Sequence, residues 1–189
     1  HGWLHGHGTE RACLYWDDNC KWLVVKVNIK DIIDLEGKVK FKCGEVVFCG
    51  DRINAVEYLL ANDPIAYTQP VIGAVITKTD LNSFAIVGDH GIATTDRGGT
   101  SISGRYGTSI SGDFGDSDSG YCGISKAGFG GMAKTGLYGK ASSGECGTIV
   151  IKYWEGDFRQ LKIGYINRDG LEPDVLYKLD SDNNFVKAE

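Results

Sequence analysis

The sequence predicts a mainly β fold: a parallel β-roll, or β-solenoid, of about ten octads with two strands per turn, a small N-terminal α/β cap and a C-terminal β cap. Two observations predict it. Glycine recurs every eight residues over a long stretch of the chain, and small side chains alternate with variable ones between these glycines. The 189 residues include 27 Gly but only 3 Pro, which excludes collagen and proline-rich disordered chains.

Each octad reads G-x-small-x-small-G-x-x. The third and fifth places hold only Ser, Thr or Ala from residue 93 to residue 143. Since alternate side chains of a strand point the same way, this pattern indicates short strands whose inner face admits only methyl and hydroxyl groups. The interior must be narrow, and we expect the glycines to supply positive φ and close backbone approach at the corners. The first glycine of the octad recurs at Gly91, Gly99, Gly107, Gly115, Gly123, Gly131, Gly139 and Gly147.

The corner residues that follow the second glycine indicate how many strands make one turn. Alternate corners form one bulky, aromatic class of Arg105-Tyr106, Tyr121-Cys122, Leu137-Tyr138 and Tyr153-Trp154. The other class comprises Arg97-Gly98, Asp113-Phe114, Phe129-Gly130 and Glu145-Cys146. This separation predicts a sixteen-residue turn with two strands rather than a three-sided coil.

The repeat extends backwards from the clear octads. Ala85 and Val87 fit the small places of one earlier octad, and Thr77 and Thr79 fit those of another. The array then covers residues 75–154 and forms about five turns, roughly 24 Å long at about 4.8 Å per strand spacing.

Two caps are expected to flank the roll, so that the chain divides into residues 1–74, 75–154 and 155–189. After the roll, residues 158–166 and 174–187 carry strand patterns and turn signals. Both open ends of the roll would then be covered, as a solenoid requires if its edges are not to aggregate.

The N-terminal cap is predicted to mix strands with one helix. Residues 22–29 and 38–43 have strand patterns, and residues 52–62 predict a helix that Asp51 caps and that ends at Asn62-Asp63-Pro64. In the second strand the inward residues are expected to be Val39, Phe41 and Cys43.

Composition and charge limit the classes of function. The net charge of −5 argues against nucleic acid as the main partner, and no stretch approaches the roughly 20 apolar residues of a membrane span. The cysteines and the lack of a secretion leader indicate reduced thiols in a cytoplasmic protein. A zinc site would require the fold to gather the first four of them. The six are Cys13, Cys20, Cys43, Cys49, Cys122 and Cys146.

The positions of two cysteines test the predicted sixteen-residue turn. Cys122 and Cys146 are three octads apart, which predicts that they lie on opposite edges of the roll. A disulfide between them would contradict the two-strand turn.

No group of residues in the sequence predicts catalysis. His90 is the only histidine beyond the N-terminal segment, and the spacing gives it neither a nucleophile nor an orienting carboxylate. Asp113, Asp116 and Asp118 are close in sequence, but calcium-binding rolls use nonapeptide repeats rather than octads. We therefore expect a protein that is not an enzyme and that needs no cofactor and no metal.

The sequence does not predict an ice-binding face. Such a face needs a regular Thr ladder, which Thr100 and Thr108 begin. The residues that follow at the same octad place do not continue it: Asp116, Ile124, Met132 and Lys140.

The strongest functional candidate is an aromatic edge. Aromatic side chains at alternate corners should stack into one ladder, which either packs under the N-terminal cap or binds a partner. Ile102 and Ile110 occupy outward octad places and extend the candidate surface. The aromatic residues are Tyr106, Tyr121, Tyr138, Tyr153 and Trp154.

The octads resemble two groups of known proteins. The G-x-S-x-S-G array is similar to the head repeats of YadA-type trimeric adhesins, which form a left-handed parallel β-roll. The whole organisation resembles uncharacterised phage and prophage octapeptide-repeat proteins, whose C-terminal cap ends in a pattern similar to Pro173-Asp174-Val175-Leu176-Tyr177 followed by Phe185-Val186.

The second resemblance implies a mobile-element protein that binds a bacterial protein complex, for example an inhibitor of host defence such as an anti-CRISPR. The first implies the alternative, a structural or adhesive head that assembles as a homo-oligomer. Neither resemblance implies a catalytic residue. We expect no membrane and no nucleic acid as a partner.

Overall fold

The N-terminal cap combines two small antiparallel sheets with one helix. The computed structural model describes residues 20–34 and 39–188. The cap contains β1 (Trp22–Val27), β2 (Ile33–Asp34), β3 (Val39–Lys40), β4 (Gly44–Gly50) and α1 (Arg52–Asn62), with 3-10 helices at Ile29–Asp31 and Pro64–Thr68. β1 pairs with β4, and β2 pairs with β3.

The predicted helix is confirmed, but one predicted strand is mostly wrong. The Asp51 carboxylate caps α1 by accepting the Asn54 backbone N–H at 2.9 Å. In the segment predicted as a strand over 38–43, only Val39–Lys40 is a strand, and Cys43 is exposed. The longer strand in this part of the cap is β4, which pairs with β1. Its Phe48 packs against the buried cluster that includes residues of α1.

Two parallel sheets form the roll, as the octads predict. Strands with odd and even numbers alternate between the two sheets, here called the odd sheet and the even sheet. The strands are β5 (Val75–Lys78), β6 (Phe84–Ile86), β7 (Ile92–Thr95), β8 (Thr100–Ser103), β9 (Thr108–Ile110), β10 (Asp116–Ser119), β11 (Ile124–Ala127), β12 (Met132–Thr135), β13 (Lys140–Ser143) and β14 (Thr148–Glu155).

The register of the even sheet confirms the sixteen-residue turn. Ser101 pairs with Ser117, Ser117 with Ala133, and Ala133 with Ile149, so each strand lies directly above the strand one turn earlier.

The first octad departs from the predicted frame by one residue. β5 pairs with β7 at an offset of seventeen, with Ile76 opposite Ala93. Ile76 is therefore the buried residue, whereas Thr77 and Thr79 are exposed. The physical reason is the N-terminal cap: Ile76 joins the apolar cluster below the roll, a place that a hydroxyl would fill poorly.

Serine hydroxyls connect the two sheets across the interior. Ser109 on the odd sheet donates to the Asp118 carbonyl oxygen of the even sheet at 2.6 Å, and Ser125 donates in the same way to the Lys134 carbonyl. Ser109 also lies 2.9 Å from the Ser103 hydroxyl. One serine side chain thus spans the interior, so the sheets are closer than the about 10 Å of ordinary stacked sheets.

The corner glycines are required for space rather than for positive φ. A Cβ built on Gly131 would lie 2.6 Å from the Gly115 carbonyl oxygen of the turn below. The left-handed conformation instead falls on the eighth place of the octad, which is usually not glycine: Tyr106 has φ 53° and Tyr138 has φ 59°. None of the repeating first and second glycines of the octads has a positive φ, so the expectation that they supply it is wrong. The expected close backbone approach is confirmed.

Larger side chains fill the two ends of the roll. The last strand, β14, carries Ile149 and Ile151 at the small octad places, and both are buried against the C-terminal cap. This cap contains β15 (Phe158–Tyr165), β16 (Tyr177–Leu179) and β17 (Phe185–Lys187). β15 extends the even sheet beside β14, and the β16–β17 hairpin extends the odd sheet beside β13.

No helix in the described part of the chain is long and apolar enough to cross a membrane.

The close approach at the corners predicts losses of stability of different size at two adjacent glycines. Gly131→Ala should lower the free energy of unfolding by at least about 2 kcal/mol, because its Cβ would meet backbone that cannot move away. Gly130→Asn is the matched control: Gly130 holds the eighth place, where other corners accommodate larger residues at positive φ, and the loss should stay below about 1 kcal/mol. Urea denaturation measures both; equal losses would contradict the role assigned to space.

The interior hydroxyls predict a second pair of effects. Ser125→Ala removes a cross-sheet hydrogen bond and should lower the free energy of unfolding by about 1 kcal/mol. The Ser117 hydroxyl is buried without a hydrogen-bond partner, so Ser117→Ala should leave stability unchanged or raise it slightly. Thermal unfolding of the two variants side by side checks this order, and a larger loss for Ser117→Ala would refute it.

Candidate functional site

Four rings stack along one edge of the roll, where the chain passes from the even sheet to the odd sheet. We call His90, Tyr106, Tyr121 and Tyr138 the ring ladder. The centroids of His90 and Tyr106 lie 5.1 Å apart with nearly parallel rings. Tyr121 meets Tyr106 at 5.8 Å and Tyr138 at 5.5 Å, in both cases edge to face. Such pairs add to stability beyond the area they bury, so the ladder is an ordered surface.

The edge-to-face geometry follows from the octad places that supply the rings. His90, Tyr106 and Tyr138 occupy the eighth place, at φ 56°, 53° and 59°. In the third turn the eighth place is Cys122, and the ring comes from Tyr121 at the seventh place. The ring therefore leaves the backbone in another direction and inserts perpendicular to its two neighbours.

The ladder is open to solvent within the described residues. Tyr106 is 53% exposed and Tyr138 is 70% exposed, so neither ring packs under the described part of the N-terminal cap. Sequence reasoning missed His90 as a member of the ladder, although it holds the same octad place as Tyr106.

The two aromatic residues at the end of the array do not belong to the ladder. At Lys152 the chain runs straight on as β14 instead of turning the corner. Tyr153 and Trp154 therefore lie in an extended strand, and their predicted place in the corner ladder is wrong. The Arg159 guanidinium stacks over the Trp154 ring at 5.2 Å. The physical reason is β15, whose antiparallel pairing along all of β14 holds the strand straight.

The straight strand creates a cleft at the end of the ladder. This cleft, of about 410 Å³, lies between β14, the corner at 137–139 and the turn after β16. Tyr138 forms one side and Trp154 another, and the charged residues Lys152, Lys178 and Asp180 also line the cleft. The ring ladder thus ends in a depression lined by aromatic and charged residues.

The opposite edge carries a smaller aromatic pair. Phe114 and Phe129 meet edge to face at 5.4 Å, and the Arg97 guanidinium lies 5.3 Å from the Phe114 ring centre. The Cys146 thiol is free on this edge, whereas the free Cys122 lies on the ladder edge, as their spacing predicts.

Cys13 lies outside the described residues, and no cluster of three or more metal-ligating side chains occurs within them.

The two outward isoleucines lie on different faces. Ile102 belongs to the even sheet, in one row with the ion pair of Asp118 and Lys134. Ile110 belongs to the odd sheet, in one row with Thr94. The two isoleucines therefore lie on separate faces of the roll, one on each sheet.

The outward face of the odd sheet is uniform over its first four strands. Seven of its eight outward residues are β-branched, and they stack in two parallel rows. One row is Val75, Ile92, Thr108 and Ile124, and the other is Thr77, Thr94, Ile110 and Lys126.

Comparison with known proteins finds partial similarity to repeats of ice nucleation proteins. An ice nucleation protein of Pseudomonas syringae pv. syringae is 45% identical over 89 residues, which cover 45% of this chain and 7% of the relative. An ice nucleation protein of Pseudomonas syringae is 45% identical over 62 residues, 32% of this chain and 5% of that relative. The match thus spans less than a tenth of either relative. No protein-family profile and no solved structure matches the chain.

Cys122, beside the ladder, shifts the pKa of Tyr121. The neighbouring Cys122 thiol raises the pKa of Tyr121 above its ordinary value, and burial, Tyr106 and Tyr138 add to this effect. Cys122→Ser should therefore lower the pKa of Tyr121 toward that of a free tyrosine. A pH titration of the Tyr121 ring by NMR measures this, with Cys146→Ser as the control that should leave it unchanged; an unchanged pKa in Cys122→Ser would contradict the contact.

Proposed function

We propose that this chain is a non-enzymatic β-solenoid that binds a protein partner through the ring ladder. The stack of His90, Tyr106, Tyr121 and Tyr138, whose three tyrosines are exposed, carries the proposal. Tyrosine buries a large area on binding at small entropic cost and is enriched at the energetic centres of interfaces. The ladder is built on a repeating backbone, so little ordering is needed when a partner binds.

We further propose that the partner is a bacterial protein complex. The octads and the C-terminal cap resemble phage octapeptide-repeat proteins, which supports a mobile-element protein acting in the cytoplasm on a bacterial complex, with host-defence complexes as one class. The proposed binding needs no cofactor and no membrane.

Removal of the two most exposed rings tests the ladder. Tyr106→Ala with Tyr138→Ala should weaken partner binding by about 2 kcal/mol or more while the melting temperature changes little, because both rings are exposed. A pull-down from bacterial lysate with mass spectrometry identifies the partner, and calorimetry with the purified partner measures the affinity.

The matched control lies on the opposite edge. Phe114→Ala with Phe129→Ala removes an aromatic pair of similar geometry and should leave partner binding unchanged. If the opposite-edge variant loses affinity and the ladder variant does not, the proposed surface is wrong. A trimer of the isolated chain in light scattering would instead favour the adhesive-head alternative.

Contact with ice is a second candidate function, favoured by one observation. Residues at the second octad place, such as Thr100 and Thr108, lie alternately on the even and the odd sheet, so the series along the sequence does not describe one face. The odd sheet alone presents a nearly uncharged, β-branched face over four strands. The relatives of similar sequence are named ice nucleation proteins. A flat face with a constant strand spacing of about 4.8 Å can order water periodically.

Charges placed on this face test the second candidate. Thr94→Lys with Thr108→Lys should abolish any inhibition of ice recrystallisation by the purified chain, because two ammonium groups interrupt the rows. The control is Thr100→Lys with Ile102→Lys on the even sheet, which should leave the inhibition intact. Absence of any effect of the unmodified chain on ice crystals would rule this function out and leave the ladder proposal unaffected.

A further inference from the structure

The even sheet ends in an edge strand that has no partner on its outer side. β15 pairs with β14 along all eight residues from Phe158 to Tyr165. Within the described residues it is the last strand of the even sheet, and no strand pairs with its other edge. It is therefore the longest open edge of the roll.

The direction of the backbone groups along β15 follows from the bonds of β14. The Thr148 N–H donates to the Gly131 carbonyl on the β12 side, so the next residue, Ile149, turns its backbone groups toward β15. Ile149 faces Gly164 in the register. Because backbone direction alternates along a strand, the N–H and C=O groups of Arg159, Leu161 and Ile163 point away from β14.

The open edge has a definite end. The next outward N–H, that of Tyr165, donates to the Asp169 carboxylate at 3.0 Å. The backbone groups of three alternate residues, Arg159, Leu161 and Ile163, thus remain for an added strand to pair with.

The side chains of this edge are unusually apolar for an exposed strand. Leu161 is 51% exposed and Ile163 is 47% exposed, and they neighbour each other on the outward face. Natural proteins usually protect such an edge with charged side chains. Here the Arg159 guanidinium lies over the Trp154 ring, so it does not extend across the edge.

The charge of the edge decides what kind of strand fits. The segment 158–165 contains Arg159 and Lys162 and no acidic residue, although the whole chain carries a net charge of −5. Pairing with the same strand of a second copy would place two copies of both cations in one short ladder, which is unfavourable. An acidic strand has complementary charge.

We propose that β15 binds an extended, acidic segment of another protein by β-strand addition. Backbone hydrogen bonds to Arg159, Leu161 and Ile163 would supply the affinity. Apolar side chains of the partner would cover Leu161 and Ile163 on one face of the added strand, and its carboxylates would neighbour Lys162 on the other face. This surface is separate from the ring ladder and would select for extended conformation, apolar alternation and negative charge.

A synthetic peptide tests this proposal with the intact chain. The probe is the fluorescein-labelled nonapeptide EVTVEVTVE, in which valine alternates with glutamate or threonine, and the assay is fluorescence anisotropy. Binding should be saturable and should weaken with added salt. The same peptide with lysine in place of glutamate should bind at least about tenfold more weakly.

Two variants of the chain locate the binding. Leu161→Pro removes an N–H that points away from β14 and should weaken binding of the probe at least about tenfold without breaking the β14–β15 pairs. Because proline could still disturb the strand, Arg159→Glu with Lys162→Glu is the second variant, and it should weaken the probe and strengthen the lysine peptide. Lys126→Glu with Lys140→Glu on the odd sheet is the charge-matched control, which should leave probe binding unchanged.

The outcomes separate this proposal from the ladder. Strand addition is supported if the probe still binds the Tyr106→Ala, Tyr138→Ala double variant but does not bind the edge variants. This conclusion does not depend on whether the ring ladder binds a protein partner. No binding of the probe, or equal binding to the unmodified chain and both edge variants, overturns it. A dimer in light scattering that Leu161→Pro dissolves also overturns it, since the occupant would then be a second copy.

Discussion

The close approach of the two sheets governs the rest of the roll. The Ser125 hydroxyl of one sheet reaches the Lys134 carbonyl of the other, so each interior place accepts nothing much larger than serine, alanine or threonine. The same closeness excludes a Cβ at Gly131, where the backbone of the turn below is already in contact. Such an interior buries little apolar surface per residue, and the larger apolar clusters therefore lie at the two ends of the roll. The middle depends more on hydrogen bonds between turns and between sheets.

The corners convert this constraint into a surface. A chain that must turn after each short strand takes the left-handed conformation at the eighth octad place, at a cost of about 1 kcal/mol for a residue other than glycine. A side chain at that place points outward at the same position in every turn. His90, Tyr106 and Tyr138, with Tyr121 between the last two, therefore form a ladder whose spacing the backbone sets. A rigid aromatic surface of this kind needs little ordering on binding, which connects the narrow interior to the proposed function.

The end of the array shows what happens when the constraint is released. Ile149 and Ile151 replace the small interior residues, and the strand that carries them continues straight beyond the width of the sheet. This extension removes Trp154 from the ladder, forms one wall of the cleft beside Tyr138 and provides the template on which β15 pairs. The two proposed surfaces, the ring ladder and the β15 edge, therefore both derive from the way the roll turns or stops turning.

The sequence by itself determined the period, the two strands per turn and the alternation of corner classes, because one short repeat dictates the same backbone in every turn. It also indicated Tyr106, Tyr121 and Tyr138 as neighbours. Only the tertiary structure decided the features that depend on contacts outside the repeat. The shift at Ile76 arises from the N-terminal cluster, the strand at 44–50 from its pairing with β1, and the straight course at Trp154 from β15. Likewise, Ile102 and Ile110 look equivalent in the octad, and only the alternation of sheets places them on opposite faces.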